Sequence, residues 1–267
     1  MENMFSLLEV KPTSKQNLNT MPQNKEAEIK FDNVSFDYDL RRTIIKNISF
    51  NVPDGKKVAI VGPTGAGKST ISRLLFRFYE PKEGNIYIND TNIKTISQDS
   101  LRKIIGVVPQ DTVLFNDTIY YNIAYGNTQA TREEVTDAAK NADIHNFISI
   151  LPDGYETLVG ERGLKLSGGE KQRVSIARAI LKNPKIFFFD EATSSLDSST
   201  EKEIQKNLEN ISRNKTTLII AHRLSTAANA DTIIVLDNGL IIEQDTHDNL
   251  LLKKGKYFEM WKKQKLN

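Results

Sequence analysis

Gly62-Pro63-Thr64-Gly65-Ala66-Gly67-Lys68-Ser69 has the residue types and the spacing of a phosphate cradle. In the pattern G-x-x-x-x-G-K-[ST], backbone N–H groups curl around an anion, glycine allows the close approach, and the lysine reaches the terminal phosphates. The Ser69 hydroxyl, with Thr70 behind it, is placed to ligate Mg²⁺ held between β- and γ-phosphate oxygens. A second oxygen on the metal side calls for a carboxylate at the end of a buried strand, and Ile186-Phe187-Phe188-Phe189-Asp190-Glu191 provides it. Asp190 is the expected Mg²⁺ partner through water, and Glu191 is the adjacent carboxylate that orients or deprotonates an attacking water. Leu166-Ser167-Gly168-Gly169-Glu170-Lys171-Gln172-Arg173 is a second glycine-rich stretch, and it opens a helix over 174–181. At average residue frequencies the first pattern arises in about one such chain in a hundred and the second in about one in a few thousand, so coincidence does not explain both.

These residues need elements to hold them. Val58-Ala59-Ile60-Val61 reads as a buried strand running into the first glycine loop, and Ile71, Leu74, Leu75 and Phe78 then recur at helical spacing. A strand, a glycine loop and a helix in that order aim free N–H groups and the positive end of the helix dipole at an anion. Upstream, 29–31, 34–36 and 44–50 read as short strands, with Pro53-Asp54-Gly55 as a turn. Residues 131–151 suit a helical insert. Beyond it, 186–189, 217–221 and 233–236 are short apolar strands separated by helical stretches at 201–211 and 224–229, which implies a largely parallel sheet. Residues 250–265 read as one basic amphipathic helix packed by its apolar side. Residues 1–26, with the short amphipathic piece Met4-Phe5-Ser6-Leu7-Leu8 and then a polar run carrying Pro12 and Pro22, read as a linker.

The chain has 267 residues, with 36 Lys+Arg against 34 Asp+Glu and a net charge of +2, which offers no electrostatic reason for a nucleic-acid partner. Without cysteine it makes no disulfide, zinc-thiolate site or iron–sulfur ligation of its own. Its longest apolar runs are a few residues, whereas a membrane-spanning helix takes about 20. The amino terminus lacks the basic start and the apolar block of a secretory leader, and reads as unprocessed or as a cut end.

With both glycine motifs in place, the chain resembles the ATP-binding-cassette (ABC) ATPases over about 29–264. The resemblance implies an α/β fold: a P-loop NTPase core of mostly parallel sheet flanked by helices, an antiparallel β subdomain, and an inserted α-helical subdomain at about 111–176 within a domain spanning 27–267. It implies ATP and Mg²⁺ as ligands. Tyr38 matches the aromatic that stacks on adenine. Gln110, after Val107-Val108-Pro109, matches the loop glutamine that senses Mg²⁺ and the transmembrane partner. Ser194-Ser195-Leu196-Asp197 matches the dimer-contact loop. His222, in Ala221-His222-Arg223-Leu224-Ser225, matches the switch histidine that contacts the γ-phosphate and helps position the catalytic Glu191. Alone, Tyr38 is a strand aromatic, Gln110 a surface amide and His222 a strand-end histidine; their order around two strong motifs gives them their roles. His145 and His247 match nothing and read as structural or exposed. A single nucleotide does not easily use two helix starts of one subunit. The family's solution is a head-to-tail homodimer with two ATPs between the copies, each held by Lys68 of one and by Ser167, Gly168 and Gly169 of the other.

Thr157-Leu158-Val159-Gly160-Glu161-Arg162-Gly163 resembles the exporter loop that touches intracellular coupling helices, with Leu158 where Glu is commoner. The stretches Phe76-Arg77-Phe78-Tyr79-Glu80-Pro81, Asn116-Asp117-Thr118-Ile119-Tyr120-Tyr121-Asn122-Ile123 and Tyr257-Phe258-Glu259-Met260-Trp261 look like the mitochondrial and bacterial half-transporters of iron–sulfur export and heavy-metal tolerance. That implies a transmembrane domain as partner, and a place on the cytoplasmic face of a bacterial inner membrane or the matrix side of the mitochondrial one. It also implies a glutathione- or sulfur-linked or metal-related cargo. Multidrug or lipid half-exporters, and soluble members acting in DNA repair or translation, stay open as alternatives.

Overall fold

The computed structural model describes residues 27–39, 43–161, 163–190, 192 and 198–266. Two sheets organise them. Strands β1 (Ile29–Asp37), β2 (Thr43–Val52), β4 (Glu83–Ile88) and β5 (Thr91–Asn92) form an antiparallel sheet in the order β2-β1-β4-β5. Strands β3 (Lys57–Val61), β6 (Ile105–Val108), β7 (Ile186–Asp190), β8 (Thr216–Ile220), β9 (Thr232–Asp237) and β10 (Leu240–Asp245) form the second, in the order β10-β9-β3-β8-β7-β6. All its neighbours are parallel except β9 and β10, which pair antiparallel.

The apolar runs of the second sheet are continuous because both of its faces are covered, and successive side chains point to opposite sides. Val58, Ile60, Ile186, Phe188, Leu218, Ile220, Ile234 and Leu236 enter the core shared with the antiparallel sheet. Ala59, Val61, Phe187, Phe189, Ile219, Ile233 and Val235 enter a second core on the other side. That second core is completed by helices: α3 (Ile119–Ala124), α4 (Arg132–Asn141), α5 (His145–Ser149) and α6 (Gly168–Lys182) from the stretch between β6 and β7, α7 (Ser198–Ile211), and the helices near the carboxyl end. On the first side lie α1 (Lys68–Leu75) and α2 (Gln98–Ile104), whose Ile71, Leu74 and Leu101 are fully buried.

Several local expectations change. Phe78, expected on the helix after the glycine loop, lies beyond the end of α1 and is 60% exposed. The two strands at 29–31 and 34–36 are one, β1, because Asn33 takes a left-handed conformation (φ 50°) and bulges the strand without ending it. The helical stretch 131–151 is interrupted by left-handed Asp143 (φ 55°), which separates α4 from α5. The single helix expected over 250–265 is two, α9 (His247–Lys253) and α10 (Lys256–Leu266), with α8 (Leu224–Ala227) before them. Lys254 turns left-handed (φ 52°), and the Glu243 carboxylate on β10 accepts from the N–H groups of Lys256 and Tyr257 at 2.5 and 3.0 Å, so the second helix starts afresh on an outside cap. Residues 1–26 and the loop 194–197 lie outside the described residues.

Phe188 is 1% exposed and meets Phe76 edge-on at 5.3 Å, tying the central sheet to the end of α1. Phe188→Ala is expected to lower unfolding stability by about 3–5 kcal/mol, measured by urea denaturation.

Candidate functional site

Because β3, β8, β7 and β6 run parallel and adjacent, the segments leaving their carboxyl ends share one edge of the sheet. In spatial order those segments carry Gly62 to Thr70, then His222, then Asp190, then Gln110. In chain order the same groups are scattered over 160 positions. This is the edge at which open α/β sheets bind ligands.

The loop after β3 is shaped by its glycines. Gly62 has φ 155°, and a Cβ there would lie 2.0 Å from the Leu236 carbonyl oxygen. Gly67 is the N-cap of α1 in a left-handed conformation (φ 107°) and supplies no side-chain cap, and the first turn of α1 contains no acid. An uncapped helix start with no acid in its first turn leaves N–H groups and the positive end of the dipole open to negative charge. Lys68 is 6% exposed, with Nζ donating to the carbonyls of Gly62 and Pro63 at 2.8 and 3.1 Å, so the ammonium is held inside the loop. Ser69 faces solvent, while Thr70 is buried.

Tyr38 arrives from the antiparallel sheet. Its hydroxyl lies 3.2 Å from the Thr70 hydroxyl and accepts from Arg73 at 2.9 Å, which fixes the ring beside α1. Phe36 and Tyr79 brace it edge-on at 4.8 and 5.1 Å, and the ring stays 42% exposed. The structure therefore brings Tyr38 to the phosphate loop although 24 residues separate Tyr38 from Gly62 in the chain.

The second glycine motif is built differently. α6 begins at Gly168, earlier than the apolar pattern from Val174 indicates, with Ser167 as N-cap in a capping box. The Ser167 hydroxyl accepts from the Glu170 N–H at 3.3 Å, and the Glu170 carboxylate accepts from the Ser167 N–H at 2.7 Å. This helix start has an acid in its first turn and satisfies part of its own N–H set, so alone it attracts an anion less than α1 does. Ser167 and Gly168 are exposed, available to a partner surface.

Gln172 is a motif letter whose role the sequence did not disclose. Its amide is 3% exposed; Nε2 donates to the Pro109 carbonyl at 3.1 Å, and Oε1 accepts from the Thr112 hydroxyl at 2.9 Å. The signature helix thus grips the Gln110 loop on both sides, leaving Gln110 itself exposed. Farther along α6, Arg178 donates to the carbonyls of Asn122 and Val113 at 2.5 and 3.0 Å and to the Asn122 side chain. Burial pulls the Arg178 pKa below its ordinary value. Asn122, fully buried, in turn accepts from the Phe115 N–H and donates to the carbonyls of Phe115 and Thr118. Half-buried Arg178 and buried Asn122 thus shape the segment 112–122, and backbone bonds join it to the loop 157–161, Ile119 N–H to Thr157 O and Val159 N–H to Asp117 O, both 3.0 Å.

His222 is exposed at the end of β8, and Asp190 is half-buried at the end of β7. Glu191 lies outside the described residues. His145 and His247 are away from these strand ends, each paired through Nδ1 with a tyrosine hydroxyl, Tyr155 at 2.9 Å and Tyr257 at 2.7 Å.

The family profile for ABC transporters matches residues 45–194, more than half of the chain. The chain belongs to the ABC transporter family. Across this family assignment the relatives agree. An ATM1-type heavy metal exporter of Novosphingobium aromaticivorans is 54% identical over 266 residues, covering 99% of this chain and 44% of that protein. The mitochondrial iron-sulfur clusters transporter ABCB7 of Homo sapiens is 54% identical over 265 residues, covering 98% of this chain and 35% of its own length. A solved structure described as a bacterial Atm1-family ABC exporter with ATP bound superposes with a TM-score of 0.91 at 54% identity, covering 99% of this chain and 46% of that one. This ABC transporter chain therefore has the P-loop NTPase fold of the family, and it spans less than half the length of those relatives.

Gln172→Leu leaves a partly buried carbonyl and hydroxyl without their partner. It is expected to cost about 1–3 kcal/mol of stability in a denaturant titration and to speed amide exchange across 109–113.

Proposed function

We propose that this ABC transporter chain binds and hydrolyses ATP with Mg²⁺, and that the cycle powers export through a membrane domain. The observation that carries this reading is the shared edge where an uncapped helix start, an enclosed lysine, a strand-end carboxylate and a strand-end histidine meet. The α1 start and Lys68 take the β- and γ-phosphates, and Tyr38 takes the adenine face. Ser69, Gln110 and Asp190 offer oxygen donors, the chemistry Mg²⁺ prefers, and would hold it against the phosphates. When bound, Mg²⁺ supplies charge neutralisation of the phosphate oxygens. Glu191 orients or deprotonates water, and His222 contacts the γ-phosphate and places Glu191.

A head-to-tail pair of copies brings the exposed Ser167 and Gly168, with the half-buried Gly169, of one onto the nucleotide of the other. The capping box favours this division of labour. A helix start that is already partly satisfied holds weakly alone and contributes once a second anchor, Lys68 with α1, has delivered the anion. Loss of the γ-phosphate then removes charge-assisted hydrogen bonds across the interface, and the pair opens.

The membrane domain, on the same polypeptide or another, docks on the surface that Arg178 and Asn122 shape. Phe115, Tyr121 and Tyr125 form an exposed aromatic cluster, with ring centres 4.5 to 6.5 Å apart and the Arg178 guanidinium 5.4 Å over Phe115. Leu158 on the loop 157–161 is 60% exposed beside the same segment. An exposed aromatic surface backed by a half-buried arginine and a buried asparagine suits a partner helix. More than half the length of the relatives lies outside the matched region and is available to supply one. By likeness to those relatives, the cargo is a sulfur-linked or metal-related compound, and the site of action is the cytoplasmic face of a bacterial inner membrane or the matrix face of the mitochondrial one.

Lys68→Ala is expected to weaken ATP binding at least about tenfold by equilibrium titration, since it removes a charge-assisted donor from the phosphates. Unchanged affinity would contradict the loop assignment. Glu191→Gln is expected to keep ATP affinity, reduce turnover by about 10²–10⁴-fold, and trap an ATP-bound dimer visible by light scattering. Full retained hydrolysis would remove Glu191 from its role.

A further inference from the structure

The sheet holds the chain leaving β8 only as far as Ala221, whose N–H bonds to the Ile60 carbonyl at 3.0 Å. His222 lies beyond that last ladder bond. Arg223 follows in extended conformation (φ −89°, ψ 125°) as the N-cap of α8, and its side chain provides no cap hydrogen bond. The first N–H of this short helix is satisfied from 40 residues away. Gln264 on α10 accepts from the Leu224 N–H with Oε1 at 2.8 Å and donates to the His222 carbonyl with Nε2 at 2.8 Å. In an extended residue the preceding carbonyl and the following N–H point the same way, so one planar amide closes on both and bridges Arg223. From the other flank, α7 holds the same segment: Glu201, 7% exposed, ion-pairs with Arg223, and the Gln205 amide donates to the Thr226 hydroxyl at 3.0 Å.

Gln264 is itself delivered by a helix that is locked at its start. Tyr257 is fully buried, hydrogen-bonds His247 at 2.7 Å and stacks with Trp261 at 6.3 Å, and His247 meets the Trp261 ring at 4.6 Å. The position of α10 along the protein surface thus sets where the His222 backbone sits. Displacement of a catalytic group by about 1 Å can cost as much as 10²-fold in rate.

We propose that Gln264 is a positioning residue for His222, so that the carboxyl-terminal helix controls hydrolysis through a two-bond amide clamp on the backbone of the switch histidine. This rests on the reading of the chain as an ATPase with His222 at the γ-phosphate. The test uses Gln264→Met, which keeps the volume of the side chain and deletes both hydrogen bonds. The chain has three histidines, His145, His222 and His247, so imidazole proton resonances are assignable one by one with His→Gln variants. His247 reports on α10 docking. The expected result is a fall in kcat of about tenfold with KM for ATP changed less than about twofold, a displaced His222 resonance, and His145 and His247 resonances in place. Equal kcat with an unmoved His222 resonance overturns the proposal. So does a His247 resonance that moves along with His222, because the helix as a whole has then come away. If the unsubstituted chain hydrolyses no ATP, the proposed function fails instead, and the His222 resonance alone decides the clamp.

Discussion

β3 is hydrogen-bonded on both edges, to β8 and β9, and buried on both faces, with Val58 and Ile60 in one core and Ala59 and Val61 in the other. A strand confined on four sides can neither rotate nor slip by one residue without exchanging the contents of two cores. The glycine loop leaves the end of such a strand, so its direction is as rigid as the sheet. The same confinement places β7 and β8, whose alternate residues are likewise divided between the two cores, and thereby the carboxylate and the histidine that leave their ends.

Around that rigid edge, the loops are held by side-chain amides and one guanidinium more than by burial. Gln172 grips the Gln110 loop, Asn122 and Arg178 shape the aromatic surface behind it, and Gln264 closes on the segment after His222. An amide pairs with a backbone carbonyl and an N–H at once, so it fixes position without the volume a hydrophobic anchor needs. Such contacts leave the polar face of each loop open. Two of these four residues, Gln172 and Arg178, lie on α6, the helix that starts at the second glycine motif. Under the proposed function, the helix start that would meet a partner copy and the loop that would meet a membrane partner are therefore joined through one rigid rod. That is the physical arrangement expected of a cassette in which nucleotide and membrane events are linked.

The family was legible in the residues themselves. A phosphate loop needs glycine where φ is positive or a carbonyl passes within 2.0 Å of the Cβ position, as at Gly62, and no other residue substitutes, so the motif survives as letters. The strands β3, β7, β8 and β9 were legible as continuous apolar runs because both of their faces are buried. The bulge at Asn33, the break at Lys254 and the break between α4 and α5 were not, because each depends on a left-handed residue that is not glycine, a conformation its residue type does not announce. Glu243, which caps α10, lies 13 residues before Lys256 and has no pattern that announces it.

Residue types and their order alone marked one family: a glycine loop, two acids at a strand end, a second glycine-rich helix start and a histidine. How these groups are held follows from the packed fold. It distinguished the two helix starts, one bare and one capped by its own Glu170. It turned Gln172 from a motif letter into a loop anchor, and it brought Gln264, 42 residues from His222, onto that residue's backbone. The reason is that motif chemistry depends on residue type at fixed local spacing, which a sequence displays. An amide's partner depends on which surfaces the two cores force together, and that is settled only when the sheet and its helices are packed.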